Sequence, residues 1–302
     1  LQDKRGLLYF GVNNGILEYD GVDWRLIKIP NNSVVRSLCM DDNGRIYAAA
    51  SSDFGYLAPD SIGALYFVSL LNLLDEKEKS FGDVWDVVHS TAGVYYKTQD
   101  KIFRWSGDSI KVFSGVYGYR LYKIEDEVFV RSAGTGLLKI NGDSLSLIPA
   151  GDDFAETGVY NMLTFEDKIL ITTNRSGLFI YDGESFSRFK TEADSFLRSG
   201  RLYNAEVLEN NNIVIATQRA GAAVINSEGK LLHLINSSKG LPANIIYDVY
   251  TDRQGGLWLA ISEGIVRVET SSPFSSFPKE KVNRSKITDL IRFNKKLYAS
   301  NS

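Results

Sequence analysis

The sequence predicts an all-β fold: a β-propeller of about seven four-stranded antiparallel blades, truncated at both ends, with one or two short helical insertions. Three observations lead there. A block of about forty residues recurs along the chain, its pieces are all short and strand-like, and tight-turn dipeptides separate them.

The clearest copy runs from Asp248 to Val268: an apolar strand, a turn with Asp252 and Gly255, the strand Leu257-Trp-Leu-Ala260, a loop closed by Gly264, and a third strand. The glycine opening that third strand returns as Gly15, Gly55, Gly136, Gly177, Gly221 and Gly264, at spacings of 40, 81, 41, 44 and 43. The gap of 81 holds two periods, with the missing copy at Lys101-Ile-Phe103. The preceding strand also recurs, as in Leu7-Leu-Tyr-Phe10, Arg45-Ile-Tyr-Ala48 and Ile213-Val-Ile-Ala216. Behind the glycine a second turn follows, in Tyr19-Asp-Gly21, Trp105-Ser-Gly107, Ile140-Asn-Gly142 and Tyr181-Asp-Gly183. Asp-Gly and Asn-Gly supply the positive φ angles of tight hairpins. The unit is therefore a four-stranded meander.

Both ends read as cut. Leu1-Gln-Asp-Lys4 resembles the tail of an innermost strand, and Ile287–Phe293 with Lys296–Ser300 resembles the first two strands of another unit. The expected division is residues 1–285 as the propeller and 286–302 as a further blade begun, either closing this ring or starting a second one. Closing the ring leaves fewer unpaired edges and is preferred. Two insertions break the repeat. Ser69–Ser80, with leucines at 70, 71, 73 and 74, is the most helical segment; Thr191–Arg198 is a weaker candidate, with Thr191 and Asp194 suited to a helix start.

Composition narrows the function. The net charge of −3 provides no basic field for nucleic acid. No apolar run reaches the ~18 residues of a membrane span. The single cysteine, Cys39, excludes an internal disulfide and reads as a structural thiol on an innermost strand. The sequons at Asn31, Asn174, Asn236 and Asn283 fall in Asn- and Ser-rich turns and read as turn chemistry. His89 and His233 sit in different repeats at different strand positions, without a second ligand at metal spacing. No nucleophile elbow, phosphate-cradling loop or dinucleotide fingerprint occurs. The sequence therefore offers no catalytic residues, no metal site and no cofactor site. Asp42-Asn-Gly44-Arg-Ile-Tyr47 resembles the Asp-box turn of sialidase propellers, where the Asp braces a turn and does no chemistry.

The informative pattern is positional. Each innermost strand begins at one mouth of the central channel, and the loops between second and third strands reach the same face. Aligned strand starts give a first column of Arg36, Trp85, Tyr119, Tyr160, Tyr203 and Tyr247. A second column holds Ser37, Asp86, Arg120, Asn161, Asn204, Asp248 and Asp289. A wet channel explains the polar second column by itself; an aromatic and arginine ring at a mouth is recognition material. The loops add Asn13, Asn14, Asp53, Phe54, Gln99, Thr135, Asn174, Arg175, Gln218, Arg219 and Glu263. The candidate ligand-binding set is Arg36, Trp85, Tyr119, Arg120, Tyr160, Asn174, Arg175, Tyr203, Gln218, Arg219, Tyr247 and Glu263. Such a face suits a small polar ligand such as an oligosaccharide fragment.

Gly240-Leu-Pro-Ala-Asn244, followed by Asp252-Arg-Gln-Gly-Gly-Leu-Trp258 and Gly264-Ile265, resembles the two-component regulator propeller repeat, departing at Ile265 where the family usually has Leu. Looser copies cover most of the chain. The resemblance implies a non-catalytic periplasmic sensor domain of an inner-membrane regulator, partnered by C-terminal domains of the same protein, with a second copy of the chain as a further partner and no nucleic acid. Its repeat residues, Gly255, Trp258 and Gly264, are structural. The alternatives are a propeller enzyme, either lyase or glycosidase, and a protein-interaction scaffold.

Overall fold

Strands with both faces buried dominate the sequence pattern, and the structure uses them to pack sheet against sheet around an axis. The computed structural model describes residues 1–269, 287–293 and 296–301. Seven antiparallel sheets follow one another in chain order, each a meander in which neighbouring strands are consecutive.

Blade 1 comprises Leu8–Val12, Gly15–Tyr19 and Trp24–Lys28. Blades 2 to 6 are each four-stranded and begin at Val35–Met40, Asp86–Ser90, Leu121–Ile124, Val159–Phe165 and Leu202–Val207. Blade 7 comprises Ile246–Thr251, Leu257–Ile261 and Gly264–Val268. Ile287–Phe293 and Lys296–Asn301 are strands as expected and pair antiparallel with one another.

Alternation explains the packing. In the second strand of blade 6, Val214 and Ala216 belong to a core shared with Val249, Leu257 and Leu259 of blade 7. Their neighbours Ile213 and Ile215 face the other way, into a core shared with Leu170 and Leu178 of blade 5. Both faces of a central strand are thus interior, so these strands read as continuous apolar runs. Four more such cores join the remaining neighbours from blade 1 to blade 5.

The ring closes between blades 7 and 1. Trp258 packs against Phe10, with centroids 5.6 Å apart, and the Arg253 amide donates to Gln2 Oε1 at 2.9 Å. The tail of blade 1's innermost strand is present, because the Tyr9 amide donates to the Leu1 carbonyl at 2.9 Å and Gln2 bridges Leu8.

In several blades the recurring glycine has a steric cause. A Cβ at Gly221, whose φ is +90°, would lie 2.1 Å from the Ile235 carbonyl oxygen of the outermost strand; at Gly55 the Val68 oxygen would be 1.9 Å away. The third and fourth strands approach too closely there for a side chain.

The helical expectation needs correction. Ser69–Ser80 forms two single 3-10 turns, Leu71–Leu73 and Glu76–Glu78. Its leucines Leu70 and Leu74 turn inward to the core between blades 2 and 3, so they anchor a loop and do not form a helix stripe. The weaker candidate is the α-helix, Asp194–Gly200. Asp194 Oδ1 accepts from the Thr191 amide at 3.1 Å and its hydroxyl at 2.8 Å, which fixes the entry to that helix. Among the described residues, no helix is long and apolar enough to cross a membrane.

Candidate functional site

In four blades the channel mouth is built by the same β-bulge. The register between first and second strands shifts between Val35 and Ser37, Val159 and Asn161, Leu202 and Asn204, and Ile246 and Asp248. The residue skipped each time, Arg36, Tyr160, Tyr203 or Tyr247, belongs to the first column. A bulge frees one residue from the ladder and re-aims it. The following side chain then caps an amide next to the irregularity: Asn161 Oδ1 accepts from Met162 N at 2.9 Å, Asn204 Oδ1 from Ala205 N at 2.7 Å, and Asp248 Oδ1 from Val249 N at 3.0 Å. In these four blades one local device therefore produces the members of both columns.

The second column is linked from blade to blade in two arcs. Ser37 Oγ donates to Asp86 Oδ1 at 2.8 Å, and Asp86 Oδ2 accepts from the Leu121 amide at 3.0 Å. On the other side Asn161 Nδ2 donates to Asn204 Oδ1 at 2.8 Å, and Asn204 Nδ2 donates to Asp248. Arg120 lies between the arcs. Burial alone would lower its pKa; the Asp86 carboxylate outweighs that, helped by Tyr203 and Asp248, and raises it. Burial pushes the Asp86 carboxyl up, and Arg120 opposes the rise.

The first column forms two aromatic clusters above these arcs. Arg36 places its guanidinium 4.3 Å from the centre of the Trp85 ring while pairing with Asp83 at 2.6 Å. Trp85 meets Tyr119 edge-on with centroids 5.2 Å apart. Across the channel, Tyr160 and Tyr203 are 5.4 Å apart, and Asn174 Nδ2 donates to the Tyr160 hydroxyl at 3.2 Å. The Arg120 guanidinium stands 5.5 Å from the Tyr203 ring, so a blade 4 residue reaches the blade 6 side. Tyr119 and Tyr247 are each half exposed.

The structure thus brings together Arg36, Trp85 and Tyr119 in one group and Tyr160, Asn174 and Tyr203 in another, with Arg120 between them. Arg175, Arg219 and Glu263 are exposed and Gln218 half-buried; among the described residues none of these side chains, nor that of Tyr247, enters a hydrogen bond. Two loop residues are corrections. Asp53 and Phe54 belong to the third strand of blade 2 and are 8% and 0% exposed. Asp53 Oδ1 accepts from Ser69 Oγ and the Phe54 amide, both at 2.7 Å, so it secures a strand end. Asp83 was missed. It lies outside the repeat, and only its pairing with Arg36 and Ser51 shows its part in the mouth.

His89 lies near the end of the innermost strand of blade 3 and His233 in the outermost strand of blade 6, both away from the clusters. Among the described residues, no group of three His, Cys, Asp or Glu side chains is placed to hold a metal ion. Cys39 is half-buried with its thiol pKa pushed up by burial, an unreactive setting. A cavity of about 550 Å³ opens between the outer parts of blades 1 and 2, where Arg25 pairs with Glu18 at 3.0 Å. A second, of about 280 Å³, lies between blades 2 and 3 on the face opposite the mouth.

Residues 240–262 match the two component regulator propeller family. The chain carries a repeat of that family. The structure resembles the extracellular domain of the putative one component system BT4673 from B. thetaiotaomicron, at 18% identity and a TM-score of 0.64 over 98% of this chain and 41% of that one. It also resembles streptogramin B lyase, at 15% identity and a TM-score of 0.64 over 87% and 90% of the two chains. The WD40 β-propeller domain of Doa1 matches at 14% and 0.63 over 88% and 90%. These likenesses establish the fold. The chain spans about 41% of the BT4673 domain's length. No curated protein sequence matches it.

Proposed function

We propose that this chain is a non-catalytic, extracytoplasmic sensing module of a membrane-anchored signalling regulator, with a small polar, glycan-like ligand bound at the channel mouth. The observation that carries the reading is the pair of aromatic clusters, Trp85 with Tyr119 and Tyr160 with Tyr203, flanking Arg120. Flat rings with few rotatable bonds offer contact area at low entropic cost, and a fixed arginine offers several donors to hydroxyl or carboxylate oxygens. The regulator repeat at residues 240–262 supports the signalling role, and the likeness to an extracellular domain supports the location.

Calorimetric screening of oligosaccharides and their monomers tests it. For a ligand so found, Trp85→Ala and Tyr203→Ala should each weaken binding at least about tenfold, the loss expected for a central aromatic contact, with the melting temperature little changed. Binding equal to wild type in both variants removes the mouth as the site. Release of a product from any ligand that binds would make the chain an enzyme instead.

A further inference from the structure

The arginines of this chain fall into two groups. Of the fourteen in residues 1–269, eight give their guanidinium to a neighbouring acceptor, as Arg36 does to Asp83 and Arg131 to the Phe154 carbonyl. Among the described residues the other six have no such partner. Five of those six, Arg120, Arg175, Arg198, Arg201 and Arg219, come from the stretch between blade 4 and blade 6.

A continuous run of contacts holds them in one sector of the mouth. Arg120 stands 5.5 Å from the Tyr203 ring, Tyr203 lies 5.4 Å from Tyr160, and the Tyr160 hydroxyl accepts from Asn174, the neighbour of Arg175. The Arg201 carbonyl accepts at 3.0 Å from the amide of Gln218, the neighbour of Arg219. Arg198 is carried by the helix Asp194–Gly200, whose last residue packs on the same loop at Thr217 and Ala220.

These donors are open to solvent. Arg175, Arg198 and Arg219 are exposed; Arg120 and Arg201 are half-buried, and none of their nitrogens is sealed away unpaired, as Arg104 Nε is. The nearby carboxylates are engaged elsewhere or stand apart. Asp86 accepts from Ser37 and the Leu121 amide, and Asp248 from the Val249 amide and Asn204. Glu156 and Glu263 are exposed and, among the described residues, pair with none of the five. On the opposite side of the channel Arg36 is neutralised by Asp83 at 2.6 Å. A chain of net charge −3 thus keeps unpaired arginines together on one side of a concave mouth, which makes a local positive field. Each guanidinium is a planar fork that grips the oxygens of an anionic group two at a time.

We propose that the ligand of the mouth is an acidic oligosaccharide, with carboxylate or sulfate groups on successive sugars: its sugars lie against Tyr160 and Tyr203, and its anionic groups meet Arg120, Arg175 and Arg219. This rests on the reading that a glycan binds at the mouth.

Calorimetry with tetrasaccharides of both kinds tests it. Tetramers of galacturonate and of guluronate carry carboxylates alone, a chondroitin sulfate tetramer adds sulfate, and galactan, mannan and glucan tetramers are neutral. At least one acidic tetramer should bind, with every neutral one at least about tenfold weaker, since charge-assisted pairs are missing. Which acidic tetramer binds separates carboxylate from sulfate recognition. Replacing both exposed arginines, Arg175→Gln with Arg219→Gln, should weaken that binding at least about tenfold with the melting temperature unchanged. Raising salt from about 50 to about 500 mM should weaken it similarly. Tyr203→Ala separates the two readings. If that variant binds as wild type does, the mouth reading falls and this one with it. If it loses binding while the arginine variant does not, only this one falls. Neutral tetramers that bind as tightly, or no acidic tetramer that binds, also overturn it.

Discussion

Blades 7, 1 and 2, which are contiguous once the ring closes, make the turn between their first and second strands differently from blades 4 and 5. In the first group an aspartate braces the turn and an aromatic six residues later holds it: Asp252 with Trp258, Asp3 with Tyr9, Asp41 with Tyr47. The carboxylate accepts from the fourth amide onward, at Gly256 (2.8 Å), Leu7 (3.0 Å) and Arg45 (2.8 Å). It also accepts from the Trp258 indole at 2.7 Å and the Tyr47 hydroxyl at 2.8 Å. In blades 4 and 5 the strands join through two residues, with Ile124 opposite Glu127 and Phe165 opposite Lys168. The family pattern is thus turn chemistry on the face away from the mouth. It fades where a two-residue hairpin makes the brace unnecessary, and its strength says nothing about nearness to a ligand.

The sharpest way to break this comparison is Asp252→Ala. Asp252 is 4% exposed and serves the Gln254 and Gly256 amides, the Trp258 indole and Arg267 together. Removing it orphans the buried Gly256 amide and three part-buried donors, and we expect a loss of about 3 kcal/mol in urea unfolding. A loss under about 1 kcal/mol would mean the brace is ornamental and the motif has another purpose. Protonation should do the same more gently. Burial alone would raise the Asp252 carboxyl, but the bonds from Trp258, Gly256 and Arg267 prevail and hold its pKa below 3.8. Its stabilisation is therefore complete above the unfolded-state value and fades as pH falls through the folded one.

Glu206, on the innermost strand of blade 6, should show the opposite sign. Burial raises its pKa from 4.5 to about 7, against the hydrogen bond from the Thr251 amide at 3.0 Å. Between those values the folded state holds the extra proton, so stability declines as pH rises from 4.5 towards 7. Melting temperatures across that range should fall less steeply in Glu206→Gln than in wild type. Parallel slopes would show that Glu206 titrates normally.

How much of this was readable beforehand follows from what repeats. The blades, the glycine opening most third strands and the two columns were legible because period-2 burial recurs in every copy and a close backbone approach recurs at Gly15, Gly55, Gly136 and Gly221. The brace was placed on Asp42, one residue off: Asp41 makes the bonds to Arg45 and Tyr47, and adjacent acids in a turn are indistinguishable without the register. Asp53 and Phe54 looked like loop residues because their alignment to the strand end was right, while the cap that buries Asp53 comes from Ser69, sixteen residues on.

The smallest effect separates the two turn classes most cleanly. Glu125 and Glu166 both sit at φ of 55°, a region where a side chain costs roughly 1–2 kcal/mol per residue and glycine does not. Both are exposed. Glycine at either position removes that strain but loses more freedom on folding, about 0.5–1 kcal/mol, so Glu166→Gly should gain about 0.5 kcal/mol, or a melting increase of about a degree or two. The same substitution at Arg253, inside the braced turn of blade 7, has no positive φ to relieve and gives up the hydrogen bond to the Lys4 carbonyl at 3.3 Å across the ring closure. It should destabilise. If both glycines act in the same direction, the hairpins of blades 4 and 5 are not the strained class, and the division between the two sets of blades would rest on the aspartate alone.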